Sequence, residues 1–316
     1  MGKEIKSLGT KKPSMGIFWK EELISLIKRI LARLDIKNNF LVKGMHLEGL
    51  RVLGYPEFFA KKYFEENVDE IIFQDVVASL YKRNQLTSLT NKISKNIFVP
   101  ITVGGGIRNI SDIREILING ADRVSINTAA VNDKKFIRES VETFGSSTIT
   151  ITIEALKVEE KYKVYTDTGR TETNMDVFDW IKEVQDMGVG EIILTSINNE
   201  GAGKGFDLDL YEKSSKLCKI SLLAHGGARN LEDVYKLFIN TDIDGVIIAS
   251  AFHFNYYKEL LKKKKILLDG GSSFLVNKDK KNIFFFGVQE LKKYLKSKNI
   301  NIRWWKNLWL GSLIYP

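Results

Sequence analysis

Along most of this chain, short runs of β-branched and apolar residues alternate with longer stretches whose apolar positions recur at helical spacing. The short runs predict strands at Ile30–Asp35, Glu70–Gln74, Pro100–Val103, Arg123–Ile126, Thr148–Ile153, Glu191–Leu194, Ser221–Ala224 and Gly245–Ile248. The longer stretches predict helices at Pro56–Asn67, Gln85–Ser94, Ser111–Asn119, Lys134–Phe144, Met175–Met187, Leu208–Leu217 and Leu231–Ile239. Pro56 suits a first helical turn and Ser111 a helix cap. Strands and helices in alternation call for a parallel sheet with right-handed crossovers. Eight such units favour a closed (β/α)8 TIM barrel over an open doubly wound sheet. No GxGxxG follows the first strand, which argues against a dinucleotide fold.

The pattern also repeats. Residues 105–119 read GGIRNISDIREILIN and residues 226–240 read GGARNLEDVYKLFIN, so Arg108 and Arg229 lie 121 positions apart (229 − 108). EIIF at Glu70–Phe73 matches EIIL at Glu191–Leu194, again 121 apart (191 − 70), and Asp35 and Glu154 end strands one and five, 119 apart (154 − 35). A half-barrel of four units, duplicated, accounts for all of these offsets.

Composition narrows the setting. The 316 residues are 44% apolar, enough for one large core, with a net charge of +9 gathered partly in Lys262–Lys265, Lys278–Lys281 and Lys292–Lys298. Solvated helix faces are the simplest account of that charge, so neither nucleic acid nor a membrane is the expected partner. Cys218 is the one cysteine, the N-terminus lacks a signal-peptide core, and no apolar run is long enough to span a bilayer. A soluble cytoplasmic protein is expected. Three parts are expected: an N-terminal extension over 1–24, a barrel over 25–303 interrupted by an insertion at about 255–287, and a Trp-rich tail over 304–316 with Trp304, Trp305 and Trp309. Val288–Lys298 has helical spacing.

In a parallel barrel the C-terminal strand ends converge on one mouth. Asp35 and Glu154 end opposed strands there, as two carboxylates able to divide acid and base work. Gly104–Gly106 with Asn127 and Thr128, and Gly226 and Gly227 with Ala249 and Ser250, predict two anion cups built from backbone N–H groups and small polar side chains. The ligand they suggest has a phosphate at each end and a reactive middle. Asp75, Ser79, Ser196, Glu200 and Gly201 are candidates to line the mouth. His46, His225 and His253 show no metal-ligand spacing, and no metal or cofactor is expected. At the opposite face Arg29, Glu70, Arg123 and Glu191 predict a ring of alternating charge, either structural or gating an axial passage.

RILARLDIKNNFLVKG, TVGGGIRN, GADRVSINTAAV, GEIILTSINNEG and the FHF at 252–254 give the chain a resemblance to the cyclase (HisF-like) subunit of imidazole glycerol phosphate synthase, running from about Lys28 to Phe254 and resuming at Val288–Arg303. The resemblance implies a lyase of histidine biosynthesis. In that reaction ammonia adds to a bisphosphorylated, ribulosyl-bearing aminoimidazole carboxamide ribonucleotide, giving imidazole glycerol phosphate and the carboxamide ribonucleotide. It implies a separate glutaminase subunit under the barrel, since no glutaminase Cys-His-Glu signature is present, with ammonia passing through the barrel centre. It assigns Asp35 and Glu154 as catalytic and Lys43 as a mouth lysine. Gly106, Asn127 and Thr128 fall to one phosphate site and Gly227, Ala249 and Ser250 to the other, with Gly105, Gly201 and Gly226 among the substrate-binding candidates. Glu200 joins the substrate loop, and Arg29, Glu70, Arg123 and Glu191 form the ammonia gate. The chain departs from the family pattern in having Glu154 and Glu200 for aspartates, Ala202 for threonine and Arg123 for lysine. Two other functions compete with this one: an ammonia-dependent amidotransferase subunit that builds an amidino group on a surface-polysaccharide sugar, and a non-catalytic phosphate-binding scaffold.

Overall fold

The computed structural model describes residues 27–78, 86–262 and 285–304. The expectations for residues 1–24, Ser79, the segment 263–284, Trp305 and Trp309 lie outside the described residues. Twelve strands of the described chain form one sheet: β1 Arg29–Lys37, β2 Phe40–Met45, β3 Glu48–Gly54, β4 Glu70–Asp75, β5 Ile101–Gly104, β6 Arg123–Ile126, β7 Ile149–Val158, β8 Lys161–Thr166, β9 Thr171–Asp176, β10 Glu191–Ser196, β11 Ser221–His225 and β12 Gly245–Ile248. Eight of them pair in parallel around a ring: β1, β4, β5, β6, β7, β10, β11, β12 and back to β1. The ring is the closed (β/α)8 barrel that the alternating pattern predicts, and all eight predicted strands lie in it.

The other four strands are two hairpins absent from the strand assignment above. β2 and β3 fold back antiparallel from β1, and β8 and β9 fold back from β7. They stand at equivalent places in the two halves, so they extend the duplication. Asn38 and Asn39 turn the chain between β1 and β2 with φ of 50° and 67°, and His46 and Leu47 turn it between β2 and β3 with φ of 51° and 63°. Two successive left-handed residues match the twist of a tight hairpin. The Asn-Asn pair was the available signal. β9 also takes Met175 and Asp176 from the predicted helix, which runs instead over Val177–Asp186, with the Asp176 side chain accepting the Phe178 N–H at 2.8 Å.

Helices at Pro56–Glu65, Leu86–Ser94, Ile110–Ile118, Lys134–Phe144, Leu208–Leu217 and Leu231–Asn240 fall where the apolar spacing puts them. Asn109, not Ser111, caps the helix after β5: its side chain accepts the Asp112 N–H at 2.9 Å. Asn230, 121 positions later (230 − 109), does the same for Asp233 at 2.9 Å in the second half. Two further helices, Thr128–Asn132 and Ser250–Lys262, begin at the two predicted cups, and the second of them enters the segment expected as an insertion.

Alternation along the ring strands sends Ile30, Ala32, Leu34 and Ile36 outward into the main core under the helices. Leu31 points inward with Ile72, Ile193, Leu223 and Ile247, which form a separate cluster inside the barrel. The helix Val288–Ser297 closes against the barrel's base. Its Lys292, one of the lysines in a run that reads as solvated, is fully buried and donates to Asp69 Oδ1 at 2.7 Å, while Asp69 Oδ2 accepts the Ile30 N–H at 2.8 Å. Among the described residues no helix is long and apolar enough to cross a membrane.

Candidate active site

Two glycines show how tightly the mouth is built. Gly105 has φ of +100°, and a Cβ there would lie 2.3 Å from the Asp75 carbonyl oxygen; Gly226 has φ of +93°, and its Cβ would lie 2.7 Å from the Ser196 carbonyl oxygen. Only glycine tolerates both the conformation and the approach. Gly105 and Gly226, like Asp75 and Ser196, are 121 residues apart, so the same close approach recurs in each half.

Each glycine turn opens into a cavity. The first has a volume of about 230 Å³ and is lined by Gly105, Gly106, Asn127 and Thr128 together with Glu154 and the β8–β9 turn. The second is lined by Gly201, Gly226, Gly227, Ala249 and Ser250, but its volume is about 30 Å³, with Glu200 and Phe254 on its walls. In the first cup, Asp167 takes the Thr128 hydroxyl as a partner: its backbone N–H donates to Thr128 Oγ1 at 3.2 Å, and the hydroxyl lies 3.4 Å from its carboxylate.

Asp35 and Glu154 are both buried and end opposed strands of the ring. Their surroundings differ. Asp35 Oδ1 accepts from Arg33 Nε at 2.7 Å, and Lys43 Nζ stands 3.9 Å from Oδ2. Burial alone would raise the Asp35 carboxyl; the Arg33 guanidinium, backed by Lys43, reverses this and holds it below the usual carboxylate range. Glu154 accepts the Gly169 N–H at 2.9 Å and, among the described residues, has no cation bonded to it. Burial therefore wins and pushes its carboxyl up to about 7, although Arg33, the Gly169 N–H and Asn127 favour the charged form.

Lys43 ties the mouth together. Its ammonium bonds Glu200, whose other carboxylate oxygen accepts the Leu47 N–H at 3.0 Å. Thus Glu200 latches the β2–β3 hairpin to the loop after β10. His225 lines the second cup and shares a hydrogen bond of 3.1 Å with Thr195; burial first, and then Arg33, keep the imidazole neutral. His46 is spent on the Ile197 carbonyl at 2.8 Å, and His253 lies in the core against Tyr63. Among the described residues no cluster of His, Cys, Asp and Glu is placed to hold a metal ion.

Arg33, Asp167 and Gly169 are the site residues that sequence reasoning missed. Arg33 had a signal: it is a charge inside an apolar strand, two residues before Asp35, and so on the same face. Asp167 and Gly169 had none until the hairpin brought them over the mouth.

At the opposite end, the four predicted charges meet. Arg29 bonds Glu191 and lies 3.4 Å from Glu70; Arg123 stands 3.1 Å from Glu70 and 3.2 Å from Glu191. Thr102 and Ser221 donate to Glu70 and Glu191 at 2.6 and 3.0 Å. Of this closed ring of ions, Arg29 also lines, with Ser221, a basal cavity of about 710 Å³.

A model of the histidine biosynthesis protein family matches residues 29–258, the barrel from its first strand into the helix Ser250–Lys262. The chain belongs to this family. Its relatives include imidazole glycerol phosphate synthase subunits HisF. One, from Legionella pneumophila, is 47% identical over 206 residues, covering 65% of this chain and 97% of that protein. Those from Natranaerobius thermophilus and a Hydrogenobaculum species are 36% and 39% identical, each covering 88% of this chain and 99% of the relative. As a member of this family, the chain carries its candidate chemistry at the mouth, between the two glycine turns, and its ion ring at the base.

Proposed function

We propose that the protein is the cyclase subunit of an imidazole glycerol phosphate synthase in histidine biosynthesis. It would use ammonia to convert a bisphosphorylated ribulosyl aminoimidazole carboxamide ribonucleotide to imidazole glycerol phosphate and aminoimidazole carboxamide ribonucleotide. The observation that carries this is the pair of buried carboxylates, Asp35 and Glu154, set between two repeat-related glycine cups. The cups would hold the terminal phosphates on backbone N–H groups, leaving the reacting centre between the carboxylates. Glu154, titrating near neutrality, suits proton transfer; Asp35 suits stabilising positive charge on nitrogen.

The base supports an ammonia route. Inward hydroxyls of Thr102, Thr150, Ser125 and Thr152 lead from the ion ring toward Glu154, and the buried Thr150 hydroxyl has no partner among the described residues. Ile27, Phe98, Ile118 and Ile239 are exposed beside the starts of strands β1, β5, β6 and β12, and Phe98 is 79% exposed. An apolar arc around a polar opening fits a glutaminase partner. The purified chain should turn over the bisphosphate with ammonium salt at alkaline pH. Folded protein without turnover would overturn the proposal.

The unequal cups favour one second function, amidination of a surface-polysaccharide sugar, because an acceptor with a single compact anionic end needs only the larger cup. Calorimetric titration with the bisphosphate separates the two: weak binding, with ammonia-dependent turnover of a nucleotide-linked or acidic sugar, would select this one.

A further inference from the structure

The two mouth carboxylates belong to one strand pattern but do not share one environment, and a single side chain makes the difference. Arg33 projects into the barrel from the same face of β1 as Asp35 and is 3% exposed. Its Nε lies 2.7 Å from Asp35 Oδ1, a charge-assisted bond made within one strand and therefore fixed by the backbone. We infer that Arg33 is a positioning residue that divides the work of the mouth: it holds Asp35 as a permanent anion and leaves Glu154 as the group that carries the proton. This rests on the acid–base role proposed above.

The neighbours on every side agree with the division. Asp35 faces Arg33 on its own strand, Lys43 from β2 and the neutral His225 from β11; the charge of Lys43 is shared with Glu200 from the loop after β10. Glu154 on β7 faces Asn127 from the end of β6, the Gly169 N–H and the Asp167 carboxylate from the β8–β9 turn, and Arg33 across the barrel. The Arg33 side chain bonds Asp35 alone among the described residues and acts on Glu154 only through space. A cation committed to one carboxylate of a pair separates the two proton affinities.

The direct test is carboxyl carbon NMR on the full chain labelled in its Asp and Glu side chains, with Asp35→Asn and Glu154→Gln supplying the assignments. In the native chain the Glu154 signal should titrate at about 7, while the Asp35 signal stays flat over the same range. In Arg33→Met both midpoints should move up, that of Asp35 by more than about one pH unit, a tenfold change in proton affinity. Arg33→Lys should restore most of the separation. If turnover is measurable, the pH limb of kcat/KM should follow the Glu154 signal in each variant. A native Asp35 that titrates together with Glu154 would overturn the inference whether or not the variants fold. So would an Asp35 midpoint unmoved in folded Arg33→Met. Because the NMR readout needs no substrate, it stands even if the proposed reaction fails.

Discussion

Glu154 is the residue whose burial has the clearest consequence. Its carboxyl is pushed from an ordinary 4.5 up to about 7, so the fold prefers the protonated form. A raised folded value means that this group's contribution is fully present below the unfolded value and is lost as pH rises through the folded one. We therefore expect Glu154→Gln to match the native stability below about pH 4.5 and to exceed it above about pH 7 by up to about 3 kcal/mol, read from denaturant melts at both ends. The same substitution should abolish turnover, as should Asp35→Asn, with ligand affinity largely retained in the latter. A stabilising change that removes activity is the expected mark of a strained functional group.

The hairpins and glycine turns act as whole elements. Glu200 holds the β2–β3 hairpin through Lys43 and the Leu47 N–H, and the His46 N–H donates to its carbonyl at 3.0 Å. Glu200→Ala leaves a buried ammonium with only Asp35, at 3.9 Å, to balance it, a loss of up to about 3 kcal/mol where the site cannot relax. Hydrogen exchange at the Leu47 amide should accelerate well beyond that of the ring strands; unchanged protection there would show that the latch is dispensable. Gly105→Ala and Gly226→Ala each press a methyl onto a carbonyl oxygen from a left-handed backbone. Each should cost more than about 1 kcal/mol and close its own cup, which separate phosphate titrations of the two variants would read.

For the whole molecule, mouth and base are separable. Replacing Phe98 and Ile118 with glutamate changes side chains that are 79% and 76% exposed at the base, far along the strands from Asp35 and Glu154. Glutamine-dependent activity with a glutaminase partner should fall at least about tenfold, with ammonium-dependent activity unchanged, because a charge is expensive at an apolar contact. Equal loss of both activities would place these residues in the barrel's stability instead. Lys292 and Asp69, both fully buried, tie the last helix to the ring, so Lys292→Met should lower the melting temperature by several degrees without moving the pH profile at the mouth.

Periodicity and repetition are local properties, and they determined the barrel. Eight strands, most helices, the 121-residue offset and the two glycine turns follow from spacing along the chain. Asp35, Glu154 and the four basal charges could be picked out for the same reason, since each ends or begins a recognisable strand. What the sequence did not contain was who stands beside whom. Arg33 stands out as a charge in an apolar strand on the face of Asp35, but only the closed barrel shows that its guanidinium bonds that carboxylate. Lys292 reads as solvated until the last helix docks. The hairpin over the mouth carries Asp167 and Gly169 to residues 39 and 15 positions away in the chain. The second cup takes its walls from residues as far apart in the chain as Glu200 and Phe254. Electrostatic environment and cavity size are sums over neighbours distant in sequence, so only the closed barrel decides them.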